Sequence, residues 1–186
     1  EIRRYGLEDK IEALARTLGV PVVTTFMGRG LLGSSSGVVC GTYLGSAGDP
    51  AVTQLVEEAD ALLLLGVIVC DTNFALSQKS FDWRRTVLAI DRTVRVGHHV
   101  YPDLPLEDLV DALLARAGEI RSVWPRPAPP RAAYPRGLVA DDQAITPTDI
   151  AAAINDLFDR HGAMPMTSDV GDCLFTALEI DNTALA

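Results

Sequence analysis

Residues 61 to 65 read Ala-Leu-Leu-Leu-Leu, with no polar position that could turn toward water. Side chains alternate between the two faces of a strand, so an unbroken apolar run describes a strand covered on both sides. Strands of that kind belong to parallel sheets, whose crossovers place helices on both faces. The neighbouring sequence supplies such helices. Leu7, Ile11, Leu14 and Leu18 recur at helical spacing from about Tyr5 to Leu18, and Gly19 stands where that helix ends. A β-branched run from Val20 to Thr25 follows and reads as a strand. Met27 to Gly48 is rich in glycine and serine and reads as loop, with at most a turn of helix. Asp49-Pro50 then marks a helix start, the acid capping and the proline at the first helical position. That helix turns Val52, Leu55 and Val56 inward and stops near Asp60. After the leucine run come a strand at Thr86 to Ile90 and a short third one at Arg95 to Val100. Leu106, Leu109, Val110, Leu113 and Leu114 describe a closing helix.

Alternation of this kind predicts an α/β fold: a Rossmann-like parallel sheet with helices on both faces. Val123 to Pro135 carries five prolines, which forbid a regular helix and favour extended backbone. It is the clearest boundary in the chain. Beyond it, Thr146-Pro147-Thr148-Asp149 caps a helix that runs to about Arg160, with Ile150, Ile154, Leu157 and Phe158 inward. Ala163 to Ser168 reads as a strand and Gly171-Asp172 as a loop. The expected organisation is a domain at 1–122, a Pro-rich linker at 123–140 and a short α/β remnant at 141–186.

Composition narrows the function. The net charge of −9 argues against a nucleic-acid partner, which requires a basic surface. The longest apolar run, Ala61 to Cys70, is about half of a membrane span, and the sequence shows no signal peptide, so no membrane partner is expected. The three cysteines, Cys40, Cys70 and Cys173, lack metal-ligand spacing and read as reduced thiols of a cytoplasmic protein.

Four segments in order carry a resemblance. They are Thr25-Phe26-Met27-Gly28-Arg29-Gly30, Gly41-Thr42-Tyr43-Leu44-Gly45, the stretch from Val56-Glu57-Glu58-Ala59-Asp60 through Leu65-Gly66, and Asp71-Thr72-Asn73-Phe74 with Leu88-Ala89-Ile90-Asp91 after it. Together they resemble the middle domain of the thiamine diphosphate-dependent enzymes. The Asp-x-Asn-Phe form is similar to the 2-keto acid decarboxylase branch, nearest to those acting on phenylpyruvate or indolepyruvate. Glu1 to Glu8 and Ser168 to Ala177 strengthen that likeness.

The resemblance implies a non-oxidative decarboxylation of a 2-keto acid to an aldehyde, with thiamine diphosphate and magnesium as cofactors of the parent enzyme. It implies a middle domain that lacks its first strand, followed by the start of the diphosphate-binding domain. The activating glutamate and the metal ligands fall in other domains, so no catalytic residue and no metal ligand is expected here. The chain alone is expected to be inactive and to bind no cofactor. Its partners would be the other domains of the polypeptide, in a homo-oligomer, dimer or tetramer. Gly171-Asp172-Cys173 matches by position the loop near the diphosphate and aminopyrimidine, and these three are the candidate cofactor-binding residues. Gly171-Asp172-Cys173 departs from the family's metal-binding Gly-Asp-Gly at its third residue, and too little chain follows to supply the partner asparagine.

Other candidates have plainer readings beside them. His98-His99 could move protons only beside a substrate, and reads as structural or exposed. His161 sits at a helix end, where the helix dipole accounts for it. Asp91 ends a strand and could accept hydrogen bonds from a ribose. Gly28-x-Gly30-x-x-Gly33 fits the letters of a phosphate loop but leads into no apolar helical pattern. Glu57, Glu58 and Asp60 read as a solvated helix face, and Asp71 and Asn73 as residues that shape a loop through backbone bonds. Two alternatives stay open: a free-standing module for ADP, FAD or NAD, and the middle domain of an acetolactate synthase-type enzyme.

Overall fold

The computed structural model describes residues 1–32, 37–74, 82–120, 133–169 and 171–181. Described residues up to 120 form one compact unit and those from 133 onward a second. The Pro-rich segment expected at 123–140 lies outside the described residues up to 132, and residues 133–140 carry no regular structure.

The first unit alternates strands and helices. α1 (Glu8–Leu18) is capped by Gly19, whose N–H donates to the Ala15 and Arg16 carbonyls. β1 (Val22–Thr25) starts directly after Pro21, which has no N–H to give a sheet. β2 (Val39–Tyr43) pairs with β1 in parallel. α2 (Pro50–Glu57) opens on Asp49, whose carboxylate accepts from the Ala51 and Val52 amides, as the sequence predicted. β3 (Leu62–Leu65) pairs in parallel with β4 (Thr86–Ile90), and α3 (Asp71–Phe74) lies between them in sequence. β5 (Thr93–Val96) and β6 (His99–Pro102) continue that sheet antiparallel, and α4 (Leu106–Ala117) closes the unit.

Three details differ from the sequence reading. The glycine-rich stretch read as loop contains β2. The short third strand is two, β5 and β6, so the sheet is mixed at that side. The strands form two sheets, β1-β2 and β3-β4-β5-β6, instead of one. In addition, the leucine strand is not covered on both sides: Leu63 is 39% exposed and Leu62, Leu64 and Leu65 are only half-buried.

Two apolar cores flank these sheets. Ile2, Leu7, Ile11, Leu106 and Val110 pack with Ala89 and Val94 in one, and Val22, Val39, Leu65 and Val87 lean on it. Tyr43, Val52, Val56 and Phe74 form the other, joined by Val23 and Leu62. β2 serves both through an irregularity. Its register against β1 skips Cys40, from Val39 opposite Val22 to Gly41 opposite Val23. One extra residue inverts the facing of everything after it. Val39 therefore lies on the first core, while Gly41 and Tyr43 face α2 and the second. Gly41 is required there by space: a Cβ at that position would lie 2.7 Å from Val52 Cγ2.

The second unit is helical in its described residues. α5 (Pro147–His161) begins with a reciprocal capping box between Thr146 and Asp149. α6 (Asp172–Thr176) follows. The strand expected at Ala163 to Ser168 does not form, and the α/β remnant shows no strand among the described residues. Pro165 removes a ladder donor there, and no described strand of this unit offers an edge to pair with. α5 buries Ala151, Ala152, Asn155 and Phe158, whereas Ile150 and Leu157, expected inward, are 47% and 44% exposed.

Gly41→Ala is expected to lower stability by about 1–3 kcal/mol, because Val52 is buried and stiff at χ1. Chemical denaturation measures it, and Val52→Ala in the same chain should restore part of the loss through coupling of the two sites. Equal losses with and without Val52 would overturn that packing. In the second unit, Asp149 is held below the ordinary carboxylate value by the Thr146 hydroxyl and then its amide. Asp156 is held low by the amides of Gly137 and then Leu138. Depressed carboxylates add stability above their unfolded pKa, and it is lost as pH falls through the folded value. Carboxyl NMR titration should place both midpoints under about 3.9, with local protection of α5 declining across them. Midpoints at or above that value would contradict the bonding described.

Candidate functional site

The motif-bearing loops meet at one edge. β1 opens into a 3-10 turn at Phe26–Gly28, β2 into another at Gly45–Ala47, and α3 packs on both. The Tyr43 ring meets the Phe74 ring edge-on, with centroids 5.6 Å apart and planes at 69°. Its hydroxyl donates to Glu57 Oε1 at 2.9 Å. Thr53 Oγ1 donates to the Gly45 carbonyl at 2.8 Å, tying α2 to the loop after β2. Asn73 is buried, and its Nδ2 donates to the Ile68 carbonyl at 2.7 Å, as the loop-shaping reading expected. Its Oδ1 is also buried and has no partner among the described residues. Tyr43 and Phe74 of the motifs thus pack on each other, while Asn73 and Gly45 are tied to Ile68 and Thr53. Their arrangement presents no nucleophile with an adjacent base.

The remaining candidates resolve into local structure. Asp91 and Arg92 are the two central residues of the β4–β5 turn, both with positive φ (49° and 53°). Positive φ at both positions is what a two-residue turn of the primed kind demands. The Asp91 amide donates to Glu1 Oε1 at 2.9 Å. The Asp91 backbone thus serves a hairpin and the first residue of the chain. His98 and His99 are exposed at the β5–β6 turn, and His161 is exposed in the last turn of α5. Gly28 and Gly30 lead from a 3-10 turn into loop, not into an α-helix whose amino end could hold a phosphate, and Gly33 lies outside the described residues. Glu57 is engaged by Tyr43 and Glu58 by Gln54, while Asp60 is open to solvent. Burial pushes the Cys40 thiol up, which disfavours a reactive thiolate.

The cofactor candidates lie in the second unit. Gly171 has φ 120° and ψ −154°, a backbone conformation essentially confined to glycine, and precedes α6. Asp172 and Cys173 are exposed, and the Cys173 thiol donates to the Asp169 carbonyl at 3.2 Å. A Cβ on Gly171 would meet nothing within 4 Å. These residues form an open loop. Among the described residues no cluster of His, Cys, Asp or Glu could hold a metal ion. No described helix is long and apolar enough to cross a membrane.

The sequence reading missed the polar centre of this unit. Asn155 is fully buried, donates through Nδ2 to the carbonyls of Pro135 and Glu179, both at 2.8 Å, and accepts from the Asp181 amide. Arg136 bridges Asp159 and Asp181, each at 2.8 Å, and these two bonds raise its pKa. An asparagine on the buried stripe of α5 was the only available signal, and it names no partner.

Comparison with known proteins follows the same lines. Residues 1–116 match the model of the thiamine pyrophosphate enzyme central domain. The whole chain is 52% identical to an indole-3-pyruvate decarboxylase of Azospirillum brasilense, of which it covers 34%. It is 33% identical over 61% of its length to an alpha-keto-acid decarboxylase of Mycobacterium avium, covering 20% of that protein. A pyruvate decarboxylase of Aspergillus terreus is 26% identical over 64% of the chain, and 21% of it is covered. The chain thus spans about a third of the length of the first of these relatives and about a fifth of the other two. The match over residues 1–116, on a fold of strands and crossover helices with these motif loops at one edge, makes this chain a member of the thiamine pyrophosphate enzyme family, carrying its central domain.

Proposed function

We propose that this chain is part of a thiamine diphosphate- and magnesium-dependent 2-keto acid decarboxylase of the phenylpyruvate or indolepyruvate type, and that its own role is architectural. The observation that carries this reading is 52% identity along the whole chain to an indole-3-pyruvate decarboxylase. In this proposal residues 1–122 are the middle domain, 123–140 a linker and 141–186 the opening of the diphosphate-binding domain. The packed loops of the first unit support a spacer: Tyr43, Glu57, Asn73 and Phe74 each contact another part of the same unit. When bound, the cofactor supplies the electron sink for loss of carbon dioxide. Gly171, Asp172 and Cys173 would form one wall of its site, completed by parts of the polypeptide outside this sequence. Assembly is a cytoplasmic homo-oligomer.

The full-length protein, supplied with thiamine diphosphate and magnesium, is expected to release aldehyde from phenylpyruvate or indolepyruvate. Its kcat/KM should exceed that for pyruvate by about tenfold or more, the range one pocket can discriminate. The 186-residue chain under the same conditions should release none. Carbon dioxide from the chain alone, or an acetohydroxy acid from the full-length protein, would defeat the reading. Gly171→Ala in the full-length protein is expected to weaken retention of thiamine diphosphate by about tenfold or more, since alanine avoids that backbone conformation. Equilibrium dialysis of the cofactor reads this directly, and unchanged affinity would remove the loop from the site.

A further inference from the structure

Residues 135–138 have no regular structure, yet each is fastened to the second unit bond by bond. The Pro135 carbonyl accepts from Asn155 Nδ2 at 2.8 Å. Arg136 Nε donates to Asp159 Oδ2 at 2.8 Å. The Gly137 and Leu138 amides donate to the two oxygens of Asp156, at 2.8 and 2.9 Å. Gly137 has φ 73°, a backbone that glycine takes without strain and that lets two successive amides converge on one carboxylate. Asn155, Asp156 and Asp159 all belong to α5, so this short stretch is a strap laid along one helix.

The same side chains grip a second segment. Asn155 Nδ2 also donates to the Glu179 carbonyl at 2.8 Å, and its Oδ1 accepts from the Asp181 amide at 2.6 Å. Arg136 Nη2 reaches Asp181 Oδ2 at 2.8 Å. That segment is continuous with the candidate cofactor loop: α6 follows Gly171 directly, and a 3-10 turn at Ala177–Glu179 follows α6. Its end is seated by Ile180, buried with Ala151 and Phe158. Asn155 is fully buried, so water does not replace a partner that leaves. One amide group serves both segments, and only one orientation of it satisfies both.

We propose that Asn155 and Arg136 are positioning residues that make the strap at 135–138 and the segment headed by Gly171, Asp172 and Cys173 move as one. Seating of the strap then sets the loop, and a ligand held by the loop in turn holds the strap, because such coupling is reciprocal. The identity of that ligand, thiamine diphosphate, rests on the decarboxylase reading.

Asn155→Ala strands buried carbonyls, so the test loosens each segment from outside. Asp156→Ala frees the Gly137 and Leu138 amides, which are exposed and turn to water, and it touches nothing beyond the strap among the bonds at 179–181. In the cofactor-free full-length protein this change is expected to speed hydrogen exchange at the Asp181 amide by on the order of tenfold, with exchange inside α5 unchanged. Asp181→Ala is expected to speed exchange at Gly137 and Leu138 by a similar factor. Equilibrium dialysis should show the dissociation constant of thiamine diphosphate rising about fivefold or more in Asp156→Ala, with aldehyde formation at saturating cofactor unchanged. A carboxylate that only ties down its own strap would move neither the Asp181 amide nor the cofactor. The proposal is overturned if the Asp181 amide keeps its rate in Asp156→Ala, or if cofactor affinity is unaltered there while Gly171→Ala lowers it. Unaltered affinity in both variants overturns the loop assignment and this coupling with it, and leaves the decarboxylase activity standing.

Discussion

The first unit depends on strands whose adjacent residues serve opposite cores. Val22 and Val23 of β1 divide between the two, as do Leu65 and Leu62 of β3. A crossover helix is stable only when its apolar stripe lies on such a plane, since few helices of this length hold themselves together in water. α1 and α4 illustrate the order of effects. Lys10 joins them by ion pairs to Glu107 at 3.1 Å and Asp111 at 2.7 Å. Those pairs are exposed, and exposed pairs contribute little. Leu7, Ile11 and Val110, buried between the same elements, contribute about 1.5–3 kcal/mol each. Apolar burial, not charge, fixes the two helices.

The same plane explains why the family's motif letters are what they are in this chain. The register skip at Cys40 turns Gly41 beneath Val52, and only a residue without a Cβ fits. That approach brings Tyr43 within reach of Glu57 on α2 and of Phe74 on α3. Asn73 then closes the turn after β3 through the Ile68 carbonyl. These contacts give each motif side chain a packing role within the unit.

Local signals were legible in the sequence and relational ones were not. Helix ends could be read because a cap is written within a few residues: Gly19, Asp49-Pro50 and Thr146 to Asp149 all do what their spacing implies. Thr86–Ile90 was legible as a strand for the same reason. β2 was hidden because its centre is a glycine whose value lies in a helix elsewhere in the chain. The β4–β5 hairpin was hidden because Asp91-Arg92 lacks the glycine that normally announces a turn with two positive φ values. Asp91 consequently looked like a ligand-binding acid at a strand end. The convergence of two loops on α3 is likewise a property of the folded chain, since no one segment names its partners.

The second unit bears on the proposed role through what it leaves uncovered. α5 has one buried stripe, Ala151, Ala152, Asn155 and Phe158, and a second apolar flank at Ile150 and Leu157, seven residues apart and exposed. Val139, Ile145 and Phe175 of the same unit are exposed as well. A helix apolar on two flanks is ordinarily enclosed by neighbours on both. Asn155 meanwhile binds the unit's two ends to the helix, from Pro135 to Asp181, with donors and acceptor all satisfied. The polar centre is complete while the apolar surface is not. A satisfied polar centre beside an uncovered apolar flank supports the proposal that this unit packs against further polypeptide on that flank.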